Sequence, residues 1–83
     1  MGEVILVFRI FPSDMEHYEK IKVDLQKMEP ERLEEEPIAF GLKAFKFTKI
    51  VDDAEGTVDK IEDALNAIKN VKEVETVTIS RGL

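Results

Sequence analysis

The side chains able to do nucleophilic, acid–base or metal chemistry are few and scattered in this 83-residue sequence. His17 is the single histidine and there is no cysteine. A serine-type triad would have to join His17 to Ser13 or Ser80, and neither serine lies in a nucleophile-elbow sequence. With no cysteine or second histidine to share a metal, His17 reads as a surface histidine beside an apolar helical stripe. Asp52, Asp53 and Glu55 ahead of Gly56 invite a calcium reading. Counting from Asp52 puts Gly56 at position five of the loop rather than six, with Val58 at seven, which excludes an EF-hand. These acids then serve a solvated turn and favour the N-terminus of the helix that follows. Neither a G-x-G-x-x-G nor a Walker sequence occurs, so nothing cradles a nucleotide's phosphates. No catalytic residue, metal ligand or cofactor is expected.

The residues that stand out are suited to recognition. From Glu34 to Asp53 the chain reads EEEPIAFGLKAFKFTKIVDD, an acidic run, a proline, a Phe-Gly corner and an alternating segment. A phenylalanine directly before a turn glycine can fold back on the core or stand out at a hairpin tip as an interface anchor, and the pattern leaves both open for Phe40 and Gly41. Glu34 to Glu36 can equally be a solvated edge that limits edge-to-edge aggregation or part of a contact.

The elements that must position these residues follow from periodicity. Val4 to Phe11 is a nearly continuous apolar run of strand length, which is the pattern of a central strand. Pro12 ends it, and Ser13 with Glu16 has the spacing of a capping box. The helix stripe is Tyr18, Ile21, Leu25 and Met28, closed by Pro30. Glu31 to Ile38, with prolines at 30 and 37, reads as an irregular edge strand. Leu42 to Val51 alternates, with Phe45, Phe47 and Val51 on one face and Ala44, Lys46 and Thr48 on the other. Lys49 breaks the apolar face and fits near the sheet end, where its stem can snorkel. Asp52 to Gly56 is a loop, and Thr57 caps a second helix with the stripe Val58, Ile61, Leu65 and Ile68. Asn70 suits a left-handed helix end. Val71 to Ile79 is the last strand, with Val77 and Ile79 as the expected inward pair, and Ser80 to Leu83 form a tail.

This order gives an α+β, ferredoxin-like βαββαβ sandwich: a four-stranded antiparallel sheet with the first and third strands central and two helices on one face. The other face would carry Leu42, Ala44 and the even-numbered residues of the first strand, and would need polar neighbours or a partner.

Composition narrows the function further. A chain of 83 residues buries one core, so 1–83 is expected to be a single domain. The absence of cysteine, and of a long apolar segment at the start, favours a cytoplasmic protein without membrane contact. Charged residues are 36% of the chain and the net charge is -6, which argues against direct nucleic-acid binding. The free protein is expected to be a monomer.

The run EEEPIAFGLKAFKFTKIVDDAEG resembles the central stretch of the archaeal translation elongation factor 1-beta family. Its specific part is Glu36-Pro37-Ile38-Ala39-Phe40-Gly41-Leu42 with Val51-Asp52-Asp53, and the likeness runs the full length. The resemblance implies a guanine-nucleotide exchange factor for the GTPase elongation factor 1-alpha, with no covalent chemistry. It implies that Phe40, with Gly41, enters a pocket of the partner's nucleotide domain, and that a basic side chain near the C-terminus disturbs its magnesium site. Glu36 and Lys43 are further candidates for the contact. Eukaryotic relatives end in a penultimate lysine, whereas here Gly82 is penultimate and the nearest base is Arg81, a planar fork one place earlier.

Two other classes can be built on the same fold. A small-molecule regulatory or protein-interaction module that pairs edge to edge would use a glycine-rich turn after the first strand, where this chain has Pro12-Ser13-Asp14. An RNA-binding sheet would need outward aromatics on both central strands, with Phe8 and Phe47 the ones to offer, and a basic face.

Overall fold

The computed structural model describes residues 2–81. The chain runs β1 (Glu3–Pro12), α1 (Tyr18–Gln26), β2 (Arg32–Pro37), β3 (Lys43–Asp52), α2 (Thr57–Asn66) and β4 (Val71–Arg81). The strands form one sheet in the order β2-β3-β1-β4, with every neighbouring pair antiparallel. This is the βαββαβ ferredoxin-like arrangement expected from the order of elements, with the first and third strands in the middle.

The core is built on alternate residues of the two central strands. Val4, Leu6, Phe8 and Ile10 of β1 and Phe45 and Phe47 of β3 are buried against Tyr18, Ile21 and Leu25 of α1 and Leu65 of α2. Phe8 is in register with Phe47, so their rings share a face. The even-numbered residues of β1 therefore point at the helices, and it is the odd-numbered Ile5, Val7, Arg9 and Phe11 that face the open side, the reverse of the expectation from sequence. Ala44 is also fully buried rather than exposed, its methyl group too short to reach past larger neighbours such as Glu36, which sits beside it in register. Each large side chain in this core contributes roughly 1.5–3 kcal/mol through burial.

Both helical stripes lie as their spacing requires. Met28 packs against the core below α1, and Val58, Ile61 and Ile68 do so around α2. The Tyr18 ring stacks on Phe45 with centroids 4.4 Å apart and 16° between planes. Lys49 does not simply reach solvent: its Nζ donates to the carbonyls of Met28 (2.8 Å) and Glu29 (3.1 Å). A cation thus satisfies carbonyls left unpaired just beyond the C-terminus of α1.

The element ends depart from expectation at three places. Ser13 is not the cap of α1: its amide donates to Asn70 O (2.8 Å), and Asp14 Oδ1 instead accepts from the His17 amide (3.2 Å). Thr57 lies inside α2, which is preceded by Gly56 at φ 80° and has no side-chain cap. In β4 the register slips between Val7 and Phe8, which pair with Thr78 and Thr76, so Val77 is the extra residue of a bulge. Val77 is 40% exposed, whereas Ile79, in register with Leu6 on the helix side but on the edge strand, is 41% exposed; the residues of β4 that pack on the core are Val71 and Val74. Ser80 and Arg81 continue the strand rather than forming a tail. Asn70, at φ 71°, takes the left-handed conformation expected of it.

Candidate recognition site

At the β2–β3 corner the Leu42 amide donates to Ala39 O (3.3 Å), and the Ile38 amide donates to Leu42 O (2.8 Å). Phe40 (φ 61°, ψ 35°) and Gly41 (φ 75°) both have positive φ, the pattern of a type I′ turn. Such a turn favours Asn-Gly or Gly-Gly, and a phenylalanine held left-handed costs about 1–2 kcal/mol. The strain secures no burial, because Phe40 is 98% exposed. The choice left open by the sequence is thereby decided against the core.

Around the foot of the hairpin, Phe11, Pro12, Ile38 and Leu42 line a shallow groove of about 150 Å³, flanked by Lys72 and Glu73. Apolar and charged side chains meet at this end of the molecule. Phe40 is its protruding member.

The remaining candidates are spread over the domain. Glu36 lies on the open face of the sheet, where its Oε2 is 3.6 Å from Arg9 Nη2; Arg9 Nη1 also donates to Glu75 (2.7 Å). Lys43 lies on the helix side, with its Nζ 6.0 Å from the centre of the Tyr18 ring. With Glu36 of β2 in register with Ala44 and Lys43 next to Ala44 in β3, alternation places Glu36 and Lys43 on opposite faces. The same alternation divides the acidic run. Glu34 is in register with Lys46 on the open face, while Glu35 turns to the helices and accepts from Tyr18 Oη (2.6 Å) and Lys22 Nζ (3.1 Å). The Tyr18 hydroxyl, and then Lys22, hold the Glu35 carboxyl below its ordinary value of 4.5. Burial, with Glu35 beside it, pushes the Tyr18 hydroxyl far above its ordinary 10.0. Sequence reading did not single out Arg9, Tyr18 or Lys22 as partners of the acids; alternation along Glu34 to Glu36 was the signal that could have found them.

Arg81 stands at the opposite end of the sheet. It is in register with Val4, and its Nε lies 3.3 Å from Asp53 Oδ1. The Asp53 amide donates to Gly2 O (2.9 Å), and Gly2, Asp52, Asp53 and Ala54 line a cavity of about 360 Å³. Lys43, at the foot of the Phe40 hairpin, and Val51, which pairs with Val4 beside Arg81, are both in β3. Eight residue steps at roughly 3.3 Å separate them, so Phe40 and Arg81 are held about 26 Å apart or more. The penultimate position, Gly82, lies outside the described residues.

Other chemistries fare less well. His17 Nδ1 is 3.2 Å from Asp14 Oδ1, and Asp14, Glu16 and His17 bring one ligand atom each within 4.8 Å of one another on a largely exposed turn. Asp14 is already the cap of that turn, and the hydrogen bonds from His17 lower its pKa. Phe8 and Phe47 are fully buried, and the outward residues of β3 include Lys46, Thr48 and Ile50, so the open face has no paired aromatics for bases to stack on. Among the described residues no helix is long and apolar enough to cross a membrane.

The EF-1 guanine nucleotide exchange domain model matches residues 5–81. Elongation factor 1-beta of Methanoregula boonei is 39% identical over 83 residues, which covers 96% of this chain and 98% of the relative. The Methanospirillum hungatei protein of that name is 40% identical over 80 residues, 93% and 94% of the two chains. The Methanothermobacter thermautotrophicus protein is 33% identical over 87 residues, 98% of each. The chain belongs to the EF-1 guanine nucleotide exchange domain family, so its role is nucleotide exchange rather than covalent catalysis.

Proposed function

We propose that residues 1–83 act as one exchange domain on elongation factor 1-alpha, with Phe40 as the anchor and Arg81 as the side chain that weakens nucleotide binding. The observation that carries this reading is the 98% exposure of Phe40 on a strained type I′ turn, a cost with no return inside the domain. A rigid aromatic presented this way is the type of residue that dominates binding energy when it fills a partner's pocket.

Arg81 acts at the other end of the sheet. Magnesium and the β-phosphate hold GDP in a P-loop GTPase, so a guanidinium brought to the magnesium position competes with the metal and shifts its ligands, which weakens the hold on the nucleotide. Binding of the exchange factor and of nucleotide are then reciprocally unfavourable: whatever free energy loosens GDP is the free energy with which returning nucleotide displaces the factor. Exchange proceeds toward GTP where GTP is in excess. A net charge of -6 suits approach to a basic partner surface. The acting form is the monomer, and its contacts are with protein rather than nucleic acid or membrane.

The test is release of fluorescent GDP from elongation factor 1-alpha, chased with unlabelled nucleotide. Faster release at micromolar concentrations of this chain is expected, with Phe40→Ala abolishing most of the acceleration. Release unchanged by the wild-type chain would overturn the proposal.

A further inference from the structure

We propose that Asp53 is a positioning residue for Arg81, holding the guanidinium by its Nε edge so that the Nη1 and Nη2 edge is presented to the magnesium site of the GTPase. The inference rests on the exchange reading above and adds a residue to it.

Arg81 is 58% exposed at the last described position of β4, and a long side chain there has many rotamers to lose on meeting a partner. The side chain of Asp53 starts from a fixed place. Its amide is bonded to Gly2 O (2.9 Å), ahead of β1, and the next amide, that of Ala54, turns back to Asp52 O (2.9 Å). Val4 pairs with Arg81 on one side and with Val51 on the other, and is itself buried, so it fixes the spacing across which the two charges meet. The contact uses one edge only. Asp53 Oδ1 takes Nε at 3.3 Å, and among the described residues Nη1 and Nη2 have no partner. The two terminal nitrogens keep their N–H donors and their charge for the oxygen ligands of the magnesium site.

This division of edges gives the arginine a physical meaning. A lysine ammonium is a point charge, and pairing it with Asp53 would tie up the same nitrogen that must act. A guanidinium can be held at one edge and act at the other. The pairing also covers a carboxylate that would otherwise repel an anionic site, in a corner that already holds Asp52.

The experiment measures fluorescent-GDP release from elongation factor 1-alpha against exchange-factor concentration, for wild type, Asp53→Asn, Asp53→Glu, Arg81→Ala and the double variant. Asp53→Asn is expected to lower the maximal release rate about two- to fivefold, the range of an exposed ion pair, with the half-saturating concentration nearly unchanged. Asp53→Glu should recover part of the rate. In the Arg81→Ala background, Asp53→Asn should have no further effect, because the residue it positions is gone. A readout independent of activity is the NMR signal of the Arg81 Nε–H, expected to move toward its free-arginine position in Asp53→Asn.

An unchanged or raised maximal rate in Asp53→Asn, an equal loss in the Arg81→Ala background, or an Nε–H signal already at the free position in wild type would each overturn the inference. If Arg81→Ala slows release and Asp53→Asn does not, only the positioning role fails. If Arg81→Ala is silent while Phe40→Ala slows release, the role of Arg81 in the exchange reading fails, and Asp53 has nothing to position.

Discussion

Tyr18 Oη donates to Glu35 Oε1 at 2.6 Å, so the first residue of α1 is fastened to the edge strand that leads into the Phe40 hairpin. The same ring stacks on Phe45 of β3, and Lys22, one turn further along α1, holds the other oxygen of Glu35. The hairpin is thus braced from the helix side at its base while its tip stands in solvent.

This brace sets a pH dependence. The folded pKa of Glu35 is depressed, so its contribution to stability is present above the unfolded value of 4.5 and is lost as pH falls through the folded value. Tyr18 has the opposite sign: its folded pKa is raised, so its contribution is present below 10.0 and is lost as pH rises above it. Thermal unfolding of Tyr18→Phe between pH 3 and 11, on the order of these two values, should show shallower acid and alkaline limbs than wild type. Limbs of unchanged steepness would show that the hydrogen bond does not bias folding.

Lys49 provides a second brace, through its bonds to the carbonyls of Met28 and Glu29. Lys49→Met keeps the apolar stem but leaves those carbonyls without their charged donor, and should cost about 1.5–2 kcal/mol in urea unfolding. Faster amide hydrogen exchange in the last turn of α1 is the local sign of the same loss. A cost near zero would mean that water replaces the ammonium.

Much of this fold is legible because periodicity and proline placement are local signals. Tyr18, Ile21, Leu25 and Met28 announce one helix face, and Phe45 with Phe47 one strand face. The inward face of β1 was not legible, since Ile5, Val7 and Phe11 are as apolar as Val4, Leu6 and Phe8, and only the register with β3 distinguishes them. In β4 two register shifts, at Val77 and between Val71 and Glu73, put Val77 out of the alternation and bring Val71 and Val74 to the core, because a strand's alternation carries no mark of where it is interrupted. In the candidate site Phe40 could be picked out from its place before Gly41. Its outward direction, and the pairing of Arg81 with Asp53, depend on chain geometry that spacing along the sequence does not encode.

The separation of Phe40 from Arg81 by the length of β3 bears on how their roles combine. Groups this far apart share no side-chain partner, so their effects on the partner should add as free energies. In the GDP-release assay, the combined Phe40→Ala and Arg81→Ala defect should equal the product of the single defects within about twofold. Phe40→Ala should act mainly on the half-saturating concentration, as loss of an anchor, and Arg81→Ala mainly on the maximal rate. A double variant no worse than the poorer single one would mean that the two residues work as one unit.

The strain at Phe40 leads to the most direct separation of stability from activity. Asn-Gly is the pair that a type I′ turn favours, so Phe40→Asn should relax the turn while removing the aromatic ring. The ring is 98% exposed and makes no contribution to the core, so nothing is lost inside the domain. Relief of about 1 kcal/mol would raise the melting temperature by roughly 4–8 °C in a domain of this size. The same variant should bind elongation factor 1-alpha poorly and accelerate GDP release little. A melting temperature that falls would show that Phe40 packs on its neighbours in solution, for instance over the groove formed by Phe11, Ile38 and Leu42. A variant that melts higher yet exchanges as fast as wild type would leave the strained phenylalanine without a role, and the anchor would have to be sought elsewhere on the domain.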